Sequence, residues 1–162
     1  MISMQLYMKQ KMLSFKQDFN IVDSNQKPVY KVDGEFLSLG RKLHIINMET
    51  NEEVALVKQK VLSLMPQVDV FVRGQEVASI RKRITLFKPQ FDIEQIGWTI
   101  KGDYFAHDYI IYDREGDLIA QIKKKYFAMS DTFEFNIDAE EVDPVMVIAV
   151  VLAIDTVMDS KD

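Results

Sequence analysis

Ten consecutive apolar residues, 145–154, follow the pair Asp143-Pro144, so a helix built from them has no polar face. Asp is a good helix cap and Pro suits the first helical position, which predicts a helix over about residues 144–158. A helix that is apolar all round has to be buried, either in protein or in lipid. Length separates the two cases. Fifteen helical residues span roughly 22 Å, short of the roughly 30 Å hydrocarbon core of a bilayer, and the apolar part alone spans about 15 Å. Burial in protein is therefore expected, and the rest of the chain must build the container.

The container is written as a repeat. Residues 9–15 read Lys-Gln-Lys-Met-Leu-Ser-Phe and residues 58–64 read Lys-Gln-Lys-Val-Leu-Ser-Leu, five identities in seven. With Ser14 as anchor, equivalent positions fall at Ser38, Ser63, Leu86, Ala106 and Ala128, spaced by 24, 25, 23, 20 and 22 residues. The residue six before each anchor is apolar: Met8, Val32, Val57, Ile80, Ile100 and Ile122. So is the residue two before it: Met12, Phe36, Val61, Ile84, Tyr104 and Tyr126. An even offset puts both sets on one face of a strand, taken as the inner face. Hairpin punctuation lies between the anchors, at Asp23-Ser24-Asn25-Gln26-Lys27-Pro28, Glu49-Thr50-Asn51-Glu52, Arg73-Gly74-Gln75 and Asp113-Arg114-Glu115-Gly116-Asp117. Each repeat is thus strand, turn, strand.

Twelve strands in an open sheet would leave edges free to pair with other molecules, and closure removes them. The expected fold is mainly β with one buried helix. It is a closed twelve-stranded antiparallel barrel of six hairpin repeats around a central C-terminal α-helix. A barrel this size is wider than the roughly eight-strand case that side chains alone fill, and a helix about 10 Å across suits its lumen. The expectation is a single domain over residues 1–162, with strands over about 4–138. Asp155 and Asp159 are expected near a barrel mouth, where solvent or a backbone donor can meet them.

Composition narrows the function classes. A net charge of −5 argues against nucleic-acid binding. That average hides a division: residues 131–162 hold nine acidic side chains against one Lys, while residues 1–130 hold nineteen basic against sixteen acidic. Without cysteine there is no disulfide framework, thiolate metal site or cysteine nucleophile. Lys9, Gln10 and Lys11 interrupt any apolar leader, so the chain is expected in the cytoplasm, at most peripheral to a membrane and not spanning it.

Phe36-Leu37-Ser38-Leu39-Gly40, Val57-Lys58-Gln59-Lys60, Phe87-Lys88-Pro89, Trp98-Thr99-Ile100-Lys101-Gly102-Asp103 and the tail 143–155 together resemble the LURP-one-related family of the tubby-like superfamily, of which phospholipid scramblases are cousins. The resemblance implies a closed twelve-strand barrel around a helix, and it implies architecture more than activity. Tubby proteins hold phosphoinositide head groups through Lys and Arg, and scramblases are associated with lipid and calcium. This chain has no cysteine to acylate as scramblases do, and no lipid-contacting residue of tubby maps onto it one by one.

The strand phase turns the residues five and three before each anchor outward. They read Lys9/Lys11, Lys58/Lys60, Arg81/Arg83 and Lys123/Lys125 in four repeats, with Asp33/Glu35 and Lys101/Asp103 in the other two. These eight basic residues are the candidate contacts for anionic lipid head groups or a phosphorylated partner, against the plainer reading of a solvated face that discourages strand aggregation. Four before the anchors stand Gln10, Gly34, Gln59, Lys82, Gly102 and Lys124, polar or glycine throughout, which suggests a strand bend rather than a ligand opening. His44 and His107 show neither metal-ligand nor triad spacing. Residues 113–117 lack the calcium-loop pattern and read as a hairpin turn. The acidic group Asp131, Asp138, Glu140, Glu141 and Asp143 reads as a linker whose last member complements the helix dipole. No metal, cofactor or catalytic constellation is expected. The leading function is a non-enzymatic binding or scaffold domain. The alternative is a protein-protein module or homo-oligomer using Phe91 or Trp98, and an enzyme of unrecognised class comes last.

Overall fold

A computed structural model describes residues 2–8, 18–37, 40–60, 66–81, 90–103, 108–126 and 131–159. In chain order the strands are β1 (Met4–Met8), β2 (Phe19–Val22), β3 (Pro28–Leu37), β4 (Gly40–Asn47), β5 (Glu53–Lys60) and β6 (Gln67–Val72). There follow β7 (Gln75–Arg81), β8 (Gln90–Ile93), β9 (Trp98–Asp103), β10 (Asp108–Tyr112), β11 (Leu118–Tyr126) and β12 (Asp131–Ile137), then the helix α1 (Pro144–Asp159). They form one twelve-stranded antiparallel sheet in the order β7-β6-β5-β4-β3-β2-β1-β12-β11-β10-β9-β8. The first strand pairs with the last, Met4 opposite Ile137 through Met8 opposite Phe133, which rolls the meander into a barrel. The barrel is nearly closed rather than fully laced. β7 and β8 come into contact, but among the described residues no ladder joins them.

The repeat phase is realised in the core. Met8, Val32, Val57, Ile80, Ile100 and Ile122 all point inward, none more than 2% exposed. The second apolar set, Met12, Phe36, Val61, Ile84, Tyr104 and Tyr126, lies outside the described side chains. The β6–β7 hairpin is tight. Val72 faces Gln75 across a two-residue loop whose Arg73 and Gly74 both adopt positive φ, the backbone that matches the twist of the flanking strands. The β2–β3 and β10–β11 turns share one device. The Oδ1 of Asp23 accepts the amides of Asn25 and Lys27 at 2.9 and 3.0 Å, and that of Asp113 accepts those of Glu115 and Asp117 at 3.0 and 2.9 Å. This settles residues 113–117 as a turn whose carboxylate is occupied by backbone.

The helix fills the barrel as its composition requires. Apart from the half-buried Met146, every residue from Val145 to Val157 is buried, and the helix packs on β5, β6 and β7 within a core to which every strand contributes. Its start is held from two sides. Asp143 caps it by accepting the Val145 amide on Oδ1 at 3.0 Å, and the other oxygen, Oδ2, takes a 2.8 Å bond from the Arg73 guanidinium on the β6–β7 turn. No helix among the described residues is long and apolar enough to cross a membrane.

Candidate interaction surface

Of the eight basic candidates, Lys58, Lys60, Arg81, Lys123 and Lys125 are exposed on the outer wall, while Lys9, Lys11 and Arg83 lie outside the described residues. The five do not share one patch. β5 and β11 are six places apart in the twelve-strand order, so Lys58 and Lys60 face away from Lys123 and Lys125 across the barrel.

The β11 wall carries a counter-charge of its own. Lys123 stands opposite Glu134 of β12, and the Lys125 ammonium bonds the Glu134 carboxylate at 2.9 Å. That bond, with the negative charge behind it, raises the Lys125 pKa. Glu134 is only 7% exposed although it points outward.

The β4–β7 wall is different. Period-2 alternation around the inward Leu43 and Ile45 turns Lys42 and His44 of β4 outward. Lys42 is the register partner of Lys58, so two ammonium groups stand opposite each other across the ladder. One rung along, Lys60 faces Gln67 and Gln67 faces Arg81. The Gln67 side chain, 5% exposed, accepts from Arg81 Nε at 2.9 Å and donates to Asp69 at 2.9 Å. Asp69, the register partner of Lys58 on β6, also accepts the Ser79 hydroxyl at 2.6 Å. Lys42 escapes a reading of the repeat because the anchor offsets address only the second strand of each unit.

On the same wall lies a group that no sequence spacing announces. His44 of β4 sits between Glu35 of β3 and Glu53 of β5. Its Nε2 is 3.0 Å from a Glu35 oxygen, and its Nδ1 makes a short hydrogen bond with Glu53. Partial burial by itself lowers the His44 pKa, but hydrogen bonds and charge from both carboxylates outweigh it and the net shift is upward. The Glu35 pKa moves down, through its hydrogen bond with His44 first and the nearby charges of His44 and Lys42 after it. Each carboxylate addresses a different ring nitrogen, so the three do not converge on one point.

Two of the polar positions before the anchors stand at the ends of ladders. Where the β4–β5 ladder ends, the Gln59 side chain accepts the Arg41 amide at 3.1 Å. Where the β10–β11 ladder ends, the Asp108 carboxylate accepts the Lys124 amide at 3.3 Å. Lys124 sends its ammonium over the Phe133 ring, 5.7 Å from the centroid. Gly102 has φ 151°, and a Cβ there would lie 1.9 Å from the Asp108 carbonyl, so only glycine fits.

Three sequence expectations need correction or closure. Asp155 is not open to solvent: it is 3% exposed and accepts a short hydrogen bond from the buried hydroxyl of Tyr109 on β10. One helical turn carries the polar side chains inward at that level, since Thr156 returns its hydroxyl to the Leu152 carbonyl at 2.8 Å. Asp159's side chain lies outside the described residues, as does His107. Trp98 is a core residue at 7% exposure, and Phe91 is half-buried and packs against the same core. Among the described residues no group of three or more His, Asp or Glu is placed to hold a metal.

Comparison with known proteins gives one consistent answer. The family described as LURP-one-related matches residues 4–155. The Bacillus subtilis protein "Uncharacterized protein YxjI" is 32% identical over 154 residues, covering 95% of this chain and 93% of that one. An X-ray structure of a protein from Arabidopsis thaliana superposes with a TM-score of 0.56 at 15% identity, covering 94% of this chain and 91% of the other, and so shares the fold. A family match that takes in every strand and most of the helix identifies the chain as a member of the LURP-one-related family.

Proposed function

We propose that this chain is a single, non-enzymatic binding domain whose β4–β7 outer wall contacts an anionic membrane surface. One observation carries the reading: Lys42 and Lys58 oppose each other directly across the ladder, and Lys60 and Arg81 extend the same wall one rung further. Like charges in register destabilise a sheet, and an external anion turns that repulsion into shared attraction. The contrast with Lys125, already bonded to Glu134, supports this wall over the opposite one. A broad convex face also suits a surface better than it suits a small solute.

Vesicle sedimentation tests the proposal. The protein is expected to pellet with phosphatidylcholine vesicles that contain phosphatidylglycerol, to remain in solution with phosphatidylcholine alone, and to be released as salt screens the contact. Each of Lys58→Ala, Lys60→Ala and Arg81→Ala is expected to weaken binding by about 1 kcal/mol. Lys125→Ala is expected to leave it unchanged. Equal recovery with both vesicle types at low salt rejects the lipid reading; retention of a phosphorylated protein instead would transfer the same wall to that partner.

A further inference from the structure

We infer that His44, with Glu35 and Glu53, is a pH-responsive gate on the basic wall, strengthening its hold on anionic membranes as pH falls. The inference rests on the proposed function above and adds its regulation.

A neutral imidazole has one N–H and one lone pair, so it can donate to one carboxylate only, whereas the imidazolium donates from both nitrogens. His44 presents both nitrogens to carboxylates, Nε2 to Glu35 and Nδ1 to Glu53, so the arrangement is fully satisfied only in the protonated state. Glu35 is shared. It is the register partner of Lys42 on β4, and Lys42 is in turn the register partner of Lys58 on β5. When His44 loses its proton, Glu35 keeps Lys42 as its neighbouring cation and holds that ammonium against the sheet. When His44 is charged it takes up Glu35 and Glu53, and Lys42 is released to join Lys58 in facing an external anion.

The other charged groups around His44 do not reverse this. From β3 come Asp33, which is opposite His44 in register, and Lys31, which lies 3.2 Å from Asp33 and 3.8 Å from Asp18; from β5 come Glu53 and Lys58. The Lys31–Asp33 pair is internally compensated, which leaves Glu35, Glu53 and His44 as the local sum that changes with pH. That sum goes from two negative charges to one as the ring is protonated, immediately beside the Lys42–Lys58 rung.

The test uses the whole chain and vesicles of phosphatidylcholine with phosphatidylglycerol, whose phosphate stays ionised, with phosphatidylcholine alone as the blank. Between about pH 8 and about pH 5.5, the range in which a histidine titrates, the binding constant is expected to rise about fivefold, the effect of one added positive charge at an anionic surface. His44→Gln is expected to bind with little dependence on pH. Glu35→Gln, a second and milder surface change, is expected to bind at about pH 8 nearly as tightly as the native chain does at about pH 5.5. A pH step that survives in His44→Gln, or native binding that shows no step, overturns the gate while the membrane reading stands. Failure to pellet with the anionic vesicles at either pH overturns both.

Discussion

At the scale of single residues, His44 sets the sign of a stability effect as well. Its pKa is raised in the folded chain because bonds to Glu35 and Glu53 outweigh the opposing effect of partial burial. A group that holds its proton more tightly when folded adds stability that is whole below its unfolded pKa, near 6.5, and is lost as pH rises through the higher folded value. The difference in denaturant midpoint between the native chain and His44→Gln is therefore expected to be largest in mildly acid solution and to shrink toward alkaline pH. A difference that grows with pH would show that the two carboxylates do not govern the ring. The alternation that turns His44 outward is legible in the sequence. Its two partners are not, because Glu35, His44 and Glu53 are brought together by two ladders and a β-bulge near Glu53.

Among the elements, the helix is the one whose ends matter most, because its barrel-filling middle has no polar group to set its position except near Asp155. Asp143 fixes the start by capping Val145 and by holding Arg73. Asp143→Ala is expected to cost about 1–2 kcal/mol in denaturant unfolding. Arg73→Ala is expected to cost at most about 1 kcal/mol, since its side chain is 59% exposed and such pairs are screened. A loss at Arg73 larger than that at Asp143 would mean that the bridge, and not the cap, anchors the helix. The cap could be read from Asp143-Pro144 directly, and so could the carboxylate turns at Asp23 and Asp113. The bridge could not, because seventy residues separate its partners. The Tyr109–Asp155 bond is likewise a meeting of strand and helix, and local pattern pointed Asp155 the wrong way.

For the molecule as a whole, barrel and helix are one cooperative structure. The inner faces of the strands meet the helix in a single apolar core, and neither part has another surface on which to bury its residues. Leu152, fully buried on the helix, has no room to be replaced without a void. Leu152→Ala is expected to cost about 2–5 kcal/mol and to shift one unfolding transition seen alike by far-ultraviolet circular dichroism and intrinsic fluorescence. Separate transitions for the two probes would show that the barrel can stand without its filling. The charge division of the sequence also resolves only at this scale. Among the described residues the candidate basic groups lie on two opposite walls of the barrel, Lys58, Lys60 and Arg81 on one and Lys123 and Lys125 on the other, and Glu134, from the acidic end of the chain, pairs with Lys125.

What the chain determined locally is everything that depends on period and near neighbours: the two-residue alternation that points side chains in or out, the turn residues, the helix cap, and an apolar run too short for a bilayer and too uniform for a surface. Those features sufficed for a barrel with a helix inside it. Which outward charges stand together was decided by register and by the rolling of the sheet. Cross-strand neighbours such as Lys42 and Lys58, or Glu35 and His44, are set by hydrogen-bonded pairing between distant segments, and the residue sequence within any one strand does not encode that distance.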